Sequence, residues 1–193
     1  GGVGLGKTHL VQAIAHRLLQ RDPHLRIIYL SCENFMNFFT SSIQHNEREK
    51  FRNLYRSLDA LLIDDIHFLS RGRREMTQEE LFHTFNALRN ADKQIVISSD
   101  APPEELSNFE ERLVSRFKWG LVARVDAPTY ETRVAILGKK AHLRGRQLPD
   151  DVVHFIAEHV TTNIRDLEGA VNKVVGFAAV ANVPIDLALA QDA

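Results

Sequence analysis

A single cysteine, Cys32, stands among 193 residues, so no internal disulfide can form and the pairing that zinc motifs require is missing. No apolar run approaches the ~20 residues of a membrane-spanning helix. Neither charge dominates: 24 Lys and Arg face 25 Asp and Glu, a formal net charge of −1. The molecule as a whole therefore offers no positive field to attract nucleic acid, and any such contact must be local. The nearest two of the nine histidines on one segment, His154 and His159, are five apart, off the i, i+4 spacing of a helical metal site. No Asn-Lys-x-Asp segment exists to read guanine, since Asn172-Lys173 is followed by Val174-Val175. What remains is an ordinary globular composition, 44% hydrophobic, enough for one sizeable core and a small satellite domain.

The chain opens with Gly1-Gly2-Val3-Gly4-Leu5-Gly6-Lys7-Thr8, a glycine, four free positions and Gly-Lys-Thr, running into a predicted helix His9–Gln20. This is the phosphate-binding loop pattern. Glycines let successive backbone N–H groups turn onto phosphate oxygens, Lys7 reaches the β and γ oxygens, and the Thr8 hydroxyl is placed to ligate Mg²⁺. Gly1, Gly2, Gly4, Leu5, Gly6, Lys7 and Thr8 are thus the expected nucleotide-binding residues. The alternative, a glycine-rich turn that merely enters a helix, does not account for Gly-Lys-Thr at this spacing. Because residue 1 already lies inside the loop, no signal peptide is expected, and a cytoplasmic nucleoside triphosphate user fits best.

Apolar runs bounded by turn residues alternate with segments of helical period, which marks βα units and a mainly parallel sheet. The predicted strands are 26–30, 60–63, 94–98 and 120–125. Between the first two, residues 32–59 carry enough helical pattern (Phe35, Phe38, Phe39, Ile43, then Phe51, Leu54, Tyr55, Leu58) for two helices where a crossover needs one. Plain core packing is the expected role of most of these phenylalanines. Asp126-Ala127-Pro128 breaks the pattern and divides the chain into an α/β core, 1–127, and a helical lid, 128–193. Within the lid Thr129 caps a helix to about Arg144, a second runs over 151–160, and Asn163 with Asp166 starts a third over 164–181.

Leu61-Leu62-Ile63-Asp64-Asp65 is an apolar strand ending in two carboxylates, at the edge where a parallel sheet delivers functional groups. Asp64 is expected to hold Mg²⁺ and Asp65 to orient the attacking water. A solvated strand-end turn is the plainer reading of Asp-Asp. A second strand ends in Ser98-Ser99-Asp100, which places Asp100 as a sensor of the γ-phosphate. Arg112 and Arg116 lie four apart on a short helix beside Glu110 and Glu111, so Arg116 serves either in an ion-pair face or as an arginine finger in a neighbour's site. Arg165 sits at a helix start, which disfavours cations, and so suits gripping an anion. Ser70-Arg71-Gly72-Arg73-Arg74 is a compact basic cluster suited to phosphates, or a solvated surface loop.

Taken together, residues 1–10, Tyr55-Arg56-Ser57 ahead of Leu61–Ile66, Gln78–Asn86, Arg112–Leu121 and Asn163–Gly169 resemble the DnaA family of bacterial chromosomal replication initiators, over residues 1 to about 190. The resemblance implies a P-loop AAA+ module that binds ATP and Mg²⁺, assembles as a homo-oligomeric filament at the replication origin and opens the duplex, with slow hydrolysis ending the active state. It makes Lys7, Thr8, Asp64 and Asp65 the nucleotide and Mg²⁺ site, Asp100 the sensor, Arg116 a finger acting in trans and Arg165 the lid arginine. It turns the 32–59 insertion into the element that grips single-stranded origin DNA, where Thr40 and Ser41 fall. Arg71, Arg73 and Arg74 are further DNA candidates, on a loop about two residues longer than the family's. The replicative helicase is an implied partner.

The family also has a strand feeding the phosphate loop, and a helix-turn-helix domain beyond the lid that reads duplex boxes. A fragment that folds poorly alone is therefore expected. The rival readings are a helicase loader or transposon-associated ATPase on the same fold, and a metabolic phosphotransferase or GTPase.

Overall fold

The computed structural model describes residues 2–70, 72, 74–143 and 145–193. The chain divides into two compact units, one of Lys7–Arg124 and one of Val125–Ala193 joined by Gly2–Gly6.

Among the described residues, three strands form the sheet of the first unit: β1 (Ile27–Ser31), β2 (Ala60–Asp64) and β3 (Gln94–Ile97), parallel, in the order β1-β2-β3. Every residue of β2 is buried, as befits a central strand covered on both faces. Its alternation assigns the faces: Leu61 and Ile63 enter the larger core, while Ala60 and Leu62 meet Val11. Val11 comes from α1 (Lys7–Arg21), whose Ile14, Ala15 and Leu18 pack there too. The register pairs Ser31 with Asp64 and Ile63 with Ile97, so all three strands end their pairing beside Asp64.

The insertion forms two helices, α2 (Cys32–Gln44) and α3 (Arg48–Arg56). Ser31 Oγ caps α2 by accepting from the Asn34 N–H at 3.2 Å. Phe35, Phe39 and Phe51 are buried, and the Phe35 ring meets Phe51 and Tyr55 edge-on at 5.4 and 5.2 Å. Phe38, by contrast, is 56% exposed. A 3₁₀ turn (Ile66–Ser70) leaves β2 and precedes α4 (Glu75–Asn90). Buried Gln78 of α4 donates to the Leu69 and Asn108 carbonyls and accepts from the Glu110 N–H, which fixes the approach to α5 (Glu111–Lys118).

One expected strand is not there. Residues 120–125 pair with no described strand; Leu121 is 96% exposed and Val122 56%. Alternation of apolar residues gives a segment the propensity for a strand, but the ladder needs a neighbour to supply the opposing N–H and C=O groups.

The second unit holds α6 (Tyr130–Leu143), α7 (Asp150–His159), α8 (Ile164–Ala181) and a short α9 (Leu187–Asp192) absent from the sequence expectation. Leu137, Val152, Ile156, Leu167, Val171 and Val174 form its core. Asn163 Oδ1 caps α8 through the Asp166 N–H at 2.9 Å, and its Nδ2 donates to Asp166 Oδ2 at 2.7 Å.

Candidate functional site

In the first unit the start of α1 and the ends of β2 and β3 bring five sequence-predicted residues together. Thr8 Oγ1 donates to Asp64 Oδ2 at 2.7 Å, and Lys7 Nζ stands 2.7 Å from Asp100 Oδ1. Asp64 is buried; its Oδ2 also accepts from the Tyr29 hydroxyl at 3.3 Å and its Oδ1 from Ser98 Oγ. A buried carboxylate needs such donors in place of the water it loses. Ser98 Oγ in turn accepts from the Asp65 N–H at 3.0 Å. Asp65 itself adopts φ 57°, turning the chain sharply out of β2. Burial, then the neighbouring carboxylates Asp64 and Asp100, raise the Asp65 pKa above the ordinary aspartate value, while His67 and Lys7 pull the other way.

This donor set suits Mg²⁺: a hydroxyl and a carboxylate, both hard oxygens, within one hydrogen bond of each other. Asp65 stands one residue further out, half-buried and, with its pKa raised, a better proton acceptor than a solvated aspartate.

In the second unit the glycine segment bends through two left-handed residues. Gly4 and Gly6 have φ of 76° and 92°, a conformation L side chains rarely adopt. The Gly4 carbonyl accepts from the Ile164 N–H at 2.9 Å, and a Cβ on Gly4 would fall 2.7 Å from Asn163 Oδ1. Gly2, Gly4 and Leu5 are described with this unit; Gly1 lies outside the described residues.

The family described as "Bacterial DnaA ATPAse domain" matches residues 1–124. The chain belongs to this DnaA family. Over all 193 residues it is 51% identical to the chromosomal replication initiator protein DnaA of Thermoanaerobacter sp. (strain X514) and to that of Thermoanaerobacter pseudethanolicus (strain ATCC 33223 / 39E), spanning 43% of each. It therefore covers less than half the length of these curated relatives.

Domain III of the Thermotoga maritima replication initiation protein DnaA superposes with a TM-score of 0.92 at 44% identity, covering 98% of this chain and 79% of that one. DnaA from Aquifex aeolicus bound to AMPPCP superposes with a TM-score of 0.80 at 35% identity, covering 94% and 55%. A DnaA bound to AMPPCP and single-stranded DNA gives 0.79 at 35%, covering 94% and 56%. The Thermotoga maritima RuvB branch migration motor shares only the fold, at 20% identity and a TM-score of 0.69. The architecture is that of a P-loop AAA+ protein.

The remaining DnaA-type positions are more dispersed. Arg112 pairs with Glu110, and the guanidinium groups of Arg112 and Arg116 lie 4.5 and 5.9 Å from the Phe82 ring centroid. Both arginines therefore share one face, with Arg116 half-buried. Arg165, in the first turn of α8, is exposed. Thr40 and Ser41 are exposed along the outer side of α2. Arg74 is half-buried, its guanidinium 4.2 Å from the Phe68 ring centroid and in contact with Met36. Arg71 and Arg73 lie outside the described residues. No described helix is long and apolar enough to cross a membrane.

Sequence reasoning did not single out Tyr29, Ser98 or His67. Ser98 had a signal, being the small polar residue one past the β3 position that faces Ile63. Tyr29 and His67 had none, because only the strand register and the 3₁₀ turn bring them to Asp64 and Asp100.

Proposed function

We propose that this chain is the ATP-binding switch of a chromosomal replication initiator. It binds Mg²⁺-ATP, assembles with further copies on the replication origin and promotes duplex opening, and weak hydrolysis ends that state. The observation that carries the reading is the meeting of Lys7, Thr8, Asp64, Asp65 and Asp100 at one end of the sheet. In this role the core is 1–127 and the lid 128–193. The N–H groups of the glycine loop, Gly1 to Gly6, take the phosphate oxygens with Lys7, and Arg165 closes on them from α8.

Thr8 and Asp64 would hold Mg²⁺, which neutralises phosphate charge when bound. Asp65 accepts the proton of the attacking water; Asp100, 2.7 Å from Lys7, registers the γ-phosphate.

Arg116 acts in the neighbouring protomer's site, which makes ATP a bridge between copies. Single-stranded origin DNA lies along the insertion, with Thr40, Ser41 and the Arg71, Arg73 and Arg74 loop as contacts. Bound AMPPCP and single-stranded DNA in a 35%-identical DnaA support both ligands. Duplex boxes are read by a further domain, the replicative helicase is a partner, and the protein is cytoplasmic.

The test is the assembly state of the intact protein against nucleotide. ATP, and not ADP, should drive polymerisation on origin DNA, and Arg116→Ala should abolish it while ATP affinity stays within about twofold. A protein that remains monomeric with ATP and phosphorylates a small acceptor would be a phosphotransferase instead.

A further inference from the structure

His67, in the 3₁₀ turn after β2, reaches the same point as Asp65 and Asp100: one donor or acceptor atom from each lies within 4.8 Å of the others. Its Nε2 stands 3.4 Å from Asp100 Oδ2, while the other oxygen of that carboxylate, Oδ1, is 2.7 Å from Lys7 Nζ. Asp100 is thus held from two sides. His67 Nδ1 is buried without a hydrogen-bond partner among the described residues. A proton on Nε2 faces the Asp100 carboxylate across this 3.4 Å contact.

Among the described residues the charged groups that meet the ring are Asp65 just past β2 and Asp100 after β3, with Lys7 paired to Asp100 and Asp64 beside Asp65. Three carboxylates in so small a space repel one another. When a triphosphate occupies the loop, Lys7 is drawn to its oxygens and its hold on Asp100 weakens. His67 is the remaining described side chain paired to that carboxylate. Without it Asp100 swings toward solvent or crowds Asp65, and in either case the water-orienting geometry is lost.

We propose that His67 is a positioning residue for ATP hydrolysis, keeping Asp100 in place once Lys7 has transferred to the nucleotide. The inference rests on the ATP-switch reading above. Glutamine extends its amide nitrogen to about the reach of the imidazole Nε2, so it supplies the required donor without the ring.

The test compares the intact protein with His67→Ala, His67→Gln and Asp65→Asn, measuring the ATP dissociation constant and single-turnover hydrolysis separately. His67→Ala should lower the hydrolysis rate about tenfold and leave ATP affinity within about twofold, and His67→Gln should recover to within about threefold of wild type. Equal losses in the Ala and Gln variants, an unchanged rate in the Ala variant, or a loss confined to affinity would each overturn the proposal. Wild-type protein that binds no ATP, or an Asp65→Asn variant that hydrolyses at the full rate, would instead remove the reading beneath it.

Discussion

Glu80, buried in α4, holds two arginines of α3: Oε2 accepts from Arg52 Nε at 2.9 Å and Nη2 at 2.8 Å, and Oε1 accepts from Arg56 Nη2 at 2.7 Å. The carboxylate side chain is 2% exposed, whereas Arg52 is 42% and Arg56 33% exposed. The costs of substitution are therefore unequal. Glu80→Ala leaves two guanidinium groups facing a buried gap and should cost about 2–3 kcal/mol, less than a fully buried pair because both arginines keep access to water. Arg52→Ala, which leaves Glu80 still bonded to Arg56, should cost about 1 kcal/mol. Urea midpoints of the two variants at pH 7 check the order; an Arg52→Ala loss equal to or larger than that of Glu80→Ala contradicts it.

Thr8 and Asp64 make a metal prediction of their own. Their oxygens are 2.7 Å apart, and Asp64 is oriented by Tyr29 and Ser98. Thr8→Val keeps the shape and removes the hydroxyl. It should weaken ATP binding at least about tenfold in the presence of Mg²⁺ and by less than about twofold in EDTA. Nucleotide titrations under both conditions decide, and a loss of equal size with and without the metal would place Thr8 outside its coordination.

Much of this was legible from local signals. The two-helix insertion, the apolar β2 and the capped α8 follow from periodicity and from Asn163 with Asp166, which act over three or four residues. The glycine pattern singles out Lys7 and Thr8, and an acid at or shortly after an apolar strand singles out Asp64 and Asp100; the structure brings these side chains together. Residues 120–125 were misread because alternation does not say whether a partner strand is present. Helix α9 is six residues long, too short for periodicity, although Asp186 is a cap that could have marked it, accepting from the Leu189 N–H at 2.8 Å. The Glu80 pairs join residues 24 and 28 apart in sequence, and no one-dimensional pattern encodes them.

Asp59 provides the pH dependence. Its Oδ1 accepts from Lys93 Nζ at 2.8 Å and its Oδ2 from the Arg26 N–H at 3.0 Å, tying together the entrances of all three strands. The Lys93 bond foremost, then the Arg26 backbone, lower its pKa to about 2. In the unfolded chain an aspartate titrates near about 3.9. Because the folded value is the lower one, the contribution is fully present above about pH 4 and is lost as pH falls toward about 2. Asp59→Asn should flatten the decline in urea midpoint across that window and leave the profile between pH 5 and 8 parallel to wild type. A variant whose acid limb matches the wild-type limb would assign the acid sensitivity to other groups.

Gly4 and Asn163 constrain each other within the second unit. Gly4 has φ 76°, and a methyl group added there would lie 2.7 Å from Asn163 Oδ1 and 3.0 Å from Cγ. That oxygen cannot retreat freely, because it is the cap of α8, bonded to the Asp166 N–H at 2.9 Å. Gly4→Ala therefore meets two penalties, about 1–2 kcal/mol for a left-handed alanine and about 1 kcal/mol if the cap gives way. The loop can avoid both only by leaving its present path, so ATP affinity should fall together with stability. Asn163→Gly removes the obstructing side chain and costs only a few tenths of a kcal/mol as a cap. Added to Gly4→Ala, it should restore about 1 kcal/mol and part of the nucleotide affinity, leaving the backbone penalty in place. A thermodynamic cycle over the two single variants and the double variant reads this coupling directly. Strict additivity would mean that the loop and the α8 cap do not restrain one another.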